Sequence, residues 1–277
     1  MSATTGRVAV VTGAGRGIGR EIARELIGRG YQVLVTDIDP DSIASTASEL
    51  GERAWSMGLD ARDPEAHRAA AKAAAERGRL QVWVNNAGVA YTDKAWAHND
   101  DEVRLMVEVN LLGVMWGSRT AVEAMRADPK SCHIINIASL SSFGPVPGLG
   151  TYGATKHGVL GYTTSLQGDL DEAGIPIRTH AVCPDVVGTN MVFDVADEPD
   201  AAILFSAPKL LTAREIGQRT VSLLDSKKIV LTIPPYRAWL ARTSSPFPRF
   251  GLGVMRMMRR YGERRQRQGV FKRGGAQ

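Results

Sequence analysis

Thr12-Gly13-Ala14-Gly15-Arg16-Gly17-Ile18-Gly19 joins two stretches of opposite period. Before it runs Arg7-Val8-Ala9-Val10-Val11-Thr12, a short apolar segment of strand character. After it, Ile18, Ile22, Ala23 and Leu26 recur at helical spacing. The stretch therefore reads as strand, turn, helix. Glycines at such a junction let the backbone turn tightly and approach a ligand, and the helix start offers unpaired N–H groups and a partial positive charge to a pyrophosphate. A structural Gly-rich turn is the alternative, but the flanking strand and helix favour a nucleotide. The spacing is T-G-x-x-x-G-x-G, a longer turn than the usual dinucleotide fingerprint with glycines first, third and sixth. Gly13, Arg16, Gly17, Ile18 and Gly19 are the expected phosphate-side residues.

The next apolar run, Gln32-Val33-Leu34-Val35-Thr36-Asp37, ends on a carboxylate 18 residues beyond Gly19. An acidic residue about 20 residues on meets the adenosine ribose in this kind of fold. Asp37 accepts from free ribose hydroxyls and repels a 2′-phosphate, whereas Arg16 pulls toward that phosphate. A carboxylate in a partly desolvated site outweighs one mobile guanidinium, so NAD is favoured over NADP. The competing role for Asp37 is a cap on the following helix.

The alternation continues along the chain. Asp41 to Leu50 is helical, Ala54 to Leu59 a weaker strand, Pro64 to Arg77 a helix, and Val82 to Asn85 a strand. Asp101 to Met125 reads as one long helix, His133 to Ala138 as a strand, Gly150 to Glu172 as a helix, and Arg178 to Cys183 as a strand. Ala213 to Leu224 is helical and Ile229 to Ile233 is the last strand. Such βαβ alternation implies an α/β fold: a doubly wound parallel sheet in three layers. Residues 1–236 are expected to form one catalytic domain and residues 237–277 an extension.

Composition supports a globular body. Of 277 residues, 44% are hydrophobic and 23% charged, which sets aside disordered, collagen-like and coiled-coil classes. Two cysteines, Cys132 and Cys183, cannot build a disulfide framework. Five scattered histidines lack metal-ligand spacing, so no metal is expected. The polar opening from Met1 to Gly6 runs straight into a strand with no room for a secretory leader, and no apolar run reaches the roughly 20 residues of a spanning helix. A cytoplasmic protein is expected. The net charge of +5 is unevenly divided: 11 of the 34 basic residues, and only one of the 29 acidic, lie between Arg237 and Gln277. That stretch carries +10 and the rest −5.

Tyr152-Gly153-Ala154-Thr155-Lys156 places a phenol and an ammonium four residues apart, on one face of a helix. A phenol with a pKa near 10 needs a nearby cation to act as a base at neutral pH, and Lys156 supplies one. Ser139 lies 13 residues upstream at a strand end, Asn85-Asn86-Ala87-Gly88 closes the preceding strand, and Asn110 sits in the helix between. Taken together with the glycine turn, these motifs resemble the short-chain dehydrogenase/reductase family in its Rossmann-fold form. The likeness runs from about Arg7 to Ile233.

That resemblance implies an oxidoreductase acting on an alcohol or carbonyl. Tyr152 would be the general acid/base, and Ser139 would donate to the reacting oxygen. Lys156 would lower the Tyr152 pKa and hold the nicotinamide ribose, and Asn110 would anchor a water of the proton relay. Tyr152 and Lys156 also count as cofactor contacts. Asn86, Ala87 and Gly88 would line the cofactor, and Asp60 and Ala61 would meet the adenine. Ser141 and Ser142 rival Ser139 by residue type but lack its interval to the tyrosine, and Asn110 has a simpler use as a partner for a helix carbonyl. Cys183-Pro184-Asp185-Val186-Val187-Gly188-Thr189 resembles the family's segment over the nicotinamide, so Pro184, Val187 and Thr189 are carried over. The family has a glycine where Asp185 stands, which puts the local backbone in question. A catalytically idle dinucleotide-binding sensor or membrane-attached scaffold is the rival class; the intact Ser139, Tyr152 and Lys156 weigh against it.

Asn190 to Thr212 corresponds to the family's mobile flap and carries Met191, Val192, Phe193, Ile203, Leu204, Phe205, Leu210 and Leu211. With Phe143, Val146, Pro147 and Leu149, it suggests a lipophilic ketone, aldehyde or secondary alcohol rather than a sugar. The long helices imply a homodimer or homotetramer. In the basic extension, Val254, Met257, Met258 and Tyr261 fall at i, i+3, i+4 and i+7, with Arg256, Arg260, Glu263, Arg264 and Arg267 opposite. Such a helix suits packing over the substrate entrance or a partner subunit, or peripheral contact with an anionic membrane. Without interleaved stacking aromatics on its arginine face, it argues against nucleic acid.

Overall fold

The computed structural model describes residues 6–207, 209–244 and 247–268. Lys272 and Arg273 of the basic extension and the first five residues lie outside them. Seven strands, β1 (Arg7–Thr12), β2 (Gln32–Asp37), β3 (Ala54–Gly58), β4 (Arg79–Asn85), β5 (Cys132–Ile137), β6 (Ile177–Pro184) and β7 (Val230–Ile233), form one parallel sheet in the order β3-β2-β1-β4-β5-β6-β7. The strand order reverses between β1 and β4, so a crevice opens there at the carboxyl ends of the strands, where doubly wound sheets bind their ligands.

Helices α1 (Gly17–Gly28), α2 (Pro40–Leu50), α3 (Pro64–Arg77), α4 (Asp100–Val107), α5 (Gly113–Met125), α6 (Gly150–Glu172) and α8 (Ala213–Val221) connect the strands. All but α4, which packs on α6, cover the sheet with an apolar face. One core cluster packs α1 and α8 onto β1, β2 and β4 through Ile22, Leu26, Val11, Val33, Val84 and Ile216. The other packs α3 and α5 onto the opposite face through Ala70, Ala74, Ala121, Met125, Trp83 and Ile134. The expected three layers are present. Asp39 and Asp63 cap α2 and α3 by accepting from backbone N–H groups, and Pro40 and Pro64 follow in the first turn, where a missing N–H costs nothing. Asp37 is therefore not the cap of α2.

The expected single helix over Asp101 to Met125 is interrupted. A π-helical turn at Glu108–Leu112 separates α4 from α5, and Asn110 lies within it, fully buried. Its amide bonds backbone groups outside the helix, which is one way such a turn is held. After β6 come a short helix α7 (Asn190–Phe193) and a 3₁₀ segment, Pro199–Ser206. The extension forms two helices, α9 (Pro235–Ser244) and α10 (Pro248–Arg267).

Between β4 and β5 a buried polar network replaces apolar packing. Trp83 Nε1 donates to Asn85 Oδ1 at 2.7 Å, and Asn85 Nδ2 donates to Asn136 Oδ1 at 2.8 Å and Ser118 Oγ at 3.0 Å. Asn136 Nδ2 continues to Thr163 Oγ1 at 3.0 Å. Gly117 is the residue that lets α5 come this close, since a Cβ there would collide with Asn85 Oδ1 and stand 2.9 Å from Trp83 Nε1. Gly117→Ala is expected to destabilise the fold by about 2 kcal/mol or more, through overpacking and a broken buried hydrogen bond. Denaturant unfolding reads this directly, and an unchanged midpoint would show that the network is not rigid.

Candidate active site

The glycine turn sits at the crevice. Gly13 (φ +62°) and Gly17 (φ +58°) take left-handed backbone conformations that favour glycine. A Cβ at Gly13 would stand 2.7 Å from Ala87 Cα, and one at Gly19 would collide with Gly13 O. The turn is thus pressed onto the end of β4. Asn86 fastens it there: Nδ2 donates to Thr12 O at 3.0 Å and Gly13 O at 2.8 Å. Asn86 N and Ala87 N donate to Thr12 Oγ1 at 3.0 and 3.1 Å. Asn86 is a brace for the turn, a use that its position alone does not reveal.

Helix α1 begins at this turn with Arg16 in extended conformation, no side-chain cap and no acidic residue in its first turn. Helices α2, α3 and α4 spend an Asp or Asn on their first N–H groups, whereas α1 leaves its own without a side-chain cap. Arg16 is exposed, while Ile18 is half-buried beside Gly17 and Gly19. The Asp37 carboxylate is oriented by the turn itself, accepting from Gly15 N at 3.2 Å and from Asp39 N at 3.3 Å. Leu59 N donates to Asp37 O at 2.9 Å, which brings Asp60 and Ala61 alongside. Asp60 is clamped by the Arg62 guanidinium, with Nη2 to Oδ2 at 2.7 Å, and this pairing holds its pKa below the usual range. Ala61 is buried against the start of α5. A pyrophosphate at the start of α1 and a ribose at Asp37 fit this arrangement, in which glycine leaves the space and the N–H groups are uncapped.

On the other side of β4, Gly88 touches the second constellation. A Cβ there would lie 3.2 Å from Asn110 Oδ1 and 3.7 Å from Lys156 Nζ. Asn110 pairs with both backbone groups of Val89, accepting from Val89 N and donating to Val89 O at 2.8 Å each. Its amide is committed to holding the segment after β4, with a longer 3.4 Å approach to Thr155 Oγ1.

Ser139 follows β5, and its hydroxyl accepts from Ser141 N at 3.2 Å and lies beside the Tyr152 phenol of α6, whose pKa it lowers. The rival serines are otherwise placed: Ser142 Oγ donates to Lys156 O at 2.8 Å, and the Ser141 hydroxyl is buried without a partner. Lys156 is buried; its Nζ donates to Ile137 O at 2.9 Å and stands 5.6 Å from the Tyr152 ring centroid. Burial pushes the Tyr152 phenol up to about 12, against the effect of the Ser139 hydroxyl, and pulls the Lys156 ammonium down to about 8. The protein alone therefore holds a neutral phenol, a proton donor, beside a cation that burial makes easy to discharge.

The segment after β6 closes the crevice. Thr189 lies over Gly17, its Cγ2 3.5 Å from where a Cβ would be, and Val187 pairs with Leu211 in a parallel bridge. Pro184 ends β6. Asp185 does not need glycine's freedom, because the only non-glycine residue with positive φ among the described residues is Ser131. Its carboxylate instead meets Arg237 of α9 at 2.8 Å in an ion pair with both side chains largely buried. Burial raises the Asp185 pKa, and the guanidinium opposes that rise. Arg242, further along α9, stacks 4.5 Å over the Phe143 ring in the segment between Ser139 and Tyr152. Neither arginine stands out in the sequence, where both count only toward the charge of the extension.

The family model described as short chain dehydrogenase matches residues 7–200. The 3-oxoacyl-[acyl-carrier-protein] reductase FabG of Vibrio harveyi is 31% identical over 230 residues, 82% of this chain and 93% of that protein. A short chain dehydrogenase/reductase from Burkholderia phymatum, solved with NAD, superposes with a TM-score of 0.79 at 27% identity, over 87% of this chain and 94% of that one. An actinorhodin polyketide ketoreductase variant, solved with NADPH, gives 0.76 at 30% identity over 84% and 97%. Mycobacterial oxidoreductases 33% identical over 186 residues are longer proteins, of which the matched part is 31%.

Removing one partner of a buried ion pair strands the other's charge, at a cost of about 3 kcal/mol or more. Arg237→Met is expected to lose about that much in denaturant unfolding, and adding Asp185→Asn to recover most of it. If the two losses simply added, Asp185 and Arg237 would not be coupled.

Proposed function

The chain belongs to the short-chain dehydrogenase family, and we propose that it transfers a hydride between NAD(H) and a lipophilic secondary alcohol, its ketone, or an aldehyde. The observation that carries the proposal is the gathering of Ser139, Tyr152 and the buried Lys156, its Nζ 5.6 Å from the Tyr152 ring, at the open end of the sheet next to an uncapped helix start. FabG is named a 3-oxoacyl-[acyl-carrier-protein] reductase and the polyketide enzyme a ketoreductase, which favours carbonyl reduction here as well.

In this reading Gly13, Gly17, Ile18 and Gly19 hold the pyrophosphate with their backbone, and Arg16 flanks it. Asp37 takes the adenosine ribose, and Asp60 and Ala61 border the adenine. Asn86, Ala87 and Gly88 form the floor, with Asn86 acting through the turn it braces. Pro184, Val187 and Thr189 cover the nicotinamide side. When bound, the nicotinamide supplies the hydride donor or acceptor, and in its oxidised form a positive charge. Tyr152 gives its phenolic proton to the carbonyl oxygen during reduction and takes it back during oxidation, while the Ser139 hydroxyl donates to the same oxygen. Lys156 holds a positive charge near the phenol, and Asn110 is a positioning residue that sets the loop against Lys156. Residues 1–236 make up the catalytic domain and 237–277 its extension, and the chain assembles as a homodimer or homotetramer through the helices of Asp101 to Met125 and Gly150 to Glu172.

Asp37 favours NAD, but the Burkholderia enzyme was solved with NAD and the polyketide ketoreductase with NADPH. Thermal stabilisation by each cofactor decides between them, since the shift follows the logarithm of affinity. A larger shift with NAD is expected, narrowing in Asp37→Ala; a larger shift with NADP overturns the argument from charge.

Tyr152→Phe is expected to keep the cofactor-induced shift and to lose turnover of secondary alcohols at least about a hundredfold. Undiminished turnover would remove Tyr152 as the proton carrier. If the wild-type protein itself bound NAD but turned over none of a broad panel of alcohols and ketones, the idle sensor or scaffold reading would replace this one.

The pH dependence has a definite sign. A phenol pushed up to about 12 must lose its proton before it can accept one, so alcohol oxidation rises with pH through the neutral range. Ketone reduction uses the phenol and stays level there, falling only at higher pH. Lys156→Gln removes the nearby cation and moves the oxidation limb to still higher pH. A limb that stays in place would show that the ammonium does not act on Tyr152.

A further inference from the structure

Of the ten large hydrophobic side chains exposed among the described residues, seven lie between Tyr236 and Tyr261. Their arrangement on α10 is not the one that periodicity suggested. Gly251 and Gly262 are buried, and Met255, Met258 and Arg259 are partly buried beside them. This face packs on the Pro199–Ser206 segment, with Gly262 so close that a Cβ would collide with Ala202 O. Arg259 pairs with Asp200 at 2.7 Å, Arg265 bonds the Ala207 carbonyl, and Gln266 Nε2 donates to Ala196 O at 2.7 Å and Glu198 O at 2.9 Å. Helix α10 is therefore already partnered along its inner face.

The outer face carries two stripes. Phe250, Val254, Met257 and Tyr261 recur at i, i+4, i+7 and i+11. Phe250 is 68% exposed, Met257 66% and Tyr261 52%. Beside them run Arg249, Arg256, Arg260 and Arg264, all exposed and without an ion pair among the described residues. An apolar stripe flanked by unpaired arginines on a convex helix is built for a surface that is apolar at depth and negative at its face. A second copy of this chain fits poorly. A twofold contact would set the arginines on one another, and Glu263, the single acid from Arg237 onward, is already engaged with Arg259.

We propose that the outer face of α10 docks on an anionic phospholipid bilayer, seating Phe250, Met257 and Tyr261 at the level of the headgroups with the arginines against lipid phosphates. The inner face of the same helix holds Pro199–Ser206, and Gly148, between Ser139 and Tyr152, packs on Asp200 of that segment. Bilayer contact is thereby set over the segment that covers the reacting end of the crevice. This placement rests on the proposed site, whereas the docking itself does not.

Vesicle flotation of the full chain tests docking without any assay of turnover. The expected result is binding to vesicles of phosphatidylcholine mixed with phosphatidylglycerol, weak binding to phosphatidylcholine alone, and loss of binding as salt rises. A triple change, Phe250→Ser, Met257→Ser and Tyr261→Ser, should abolish flotation while leaving turnover of a water-soluble substrate and the unfolding midpoint unchanged. Arg256→Gln with Arg260→Gln should weaken partitioning about thirtyfold. The proposal is overturned by no flotation with either vesicle, by flotation that the triple change leaves intact, or by a drop in solution mass of the triple variant, which assigns the face to a second copy. Equally tight binding to heparin that ignores the apolar changes would also overturn it, by assigning the arginines to a soluble polyanion.

Discussion

The contact on which the rest of the structure depends is the clasp between the first turn and the end of β4. One side chain, Asn86, accepts the job of satisfying two turn carbonyls, and one hydroxyl, Thr12, satisfies two N–H groups of the strand end. Backbone groups that would otherwise be orphaned at a crevice are thereby paired, and the start of α1 keeps its own N–H groups unspent. Because the clasp requires the two backbones almost in contact, Gly13 and Gly19 admit no side chain. Gly88, two residues past Asn86, then carries the same geometry across to Lys156 and Asn110. The phosphate end and the proton-transfer end are fixed relative to one another through four consecutive residues.

Burial sets the chemistry that this rigidity makes available. Desolvation disfavours both a phenolate at Tyr152 and an ammonium at Lys156, so the two groups move toward neutrality from opposite directions. The backbone carbonyl of Ile137 keeps the lysine hydrogen-bonded, and the Ser139 hydroxyl favours the ionised phenol. A site poised in this way responds to added positive charge much more strongly than a solvated one, because interactions are less screened where water is excluded. Helix α6 carries both Tyr152 and Lys156, so the phenol and the ammonium beside it are set on one rigid element at a fixed distance.

Much of this was legible in the residues. Strand and helix periods locate every strand to within a few positions, and the turn, the strand-end asparagines and the tyrosine–lysine spacing mark the site. What periodicity does not show is competition for hydrogen bonds. Asn86 reads as a cofactor contact but braces the turn, and Asn110 reads as part of a continuous helix but sits in a π turn because Val89 takes its amide. The interval to Tyr152 singles out Ser139, and the hydroxyl partners agree, since Ser142 Oγ is spent on Lys156 O. On α10, spacing at i, i+3, i+4 and i+7 finds an apolar stripe, yet Met257 and Tyr261 turn outward. Gly262, invisible to a hydrophobic pattern, allows a closer approach on the other side.

Asp185 shows how a local departure is answered at a distance. A carboxylate in the segment after β6 would be untenable there by itself, since burial raises its pKa. Arg237, more than fifty residues later, meets it, and the same helix sets Arg242 on Phe143. The charge of the extension is thus not one property. Its first arginines are spent on the crevice wall, Arg259 and Arg265 are spent on the segment above it, and Arg249, Arg256, Arg260, Arg264 and Arg267 are exposed. Among the described residues, the division of charge along the chain is therefore also a division in space, between arginines that pair with the catalytic body and arginines on the outer face of α10.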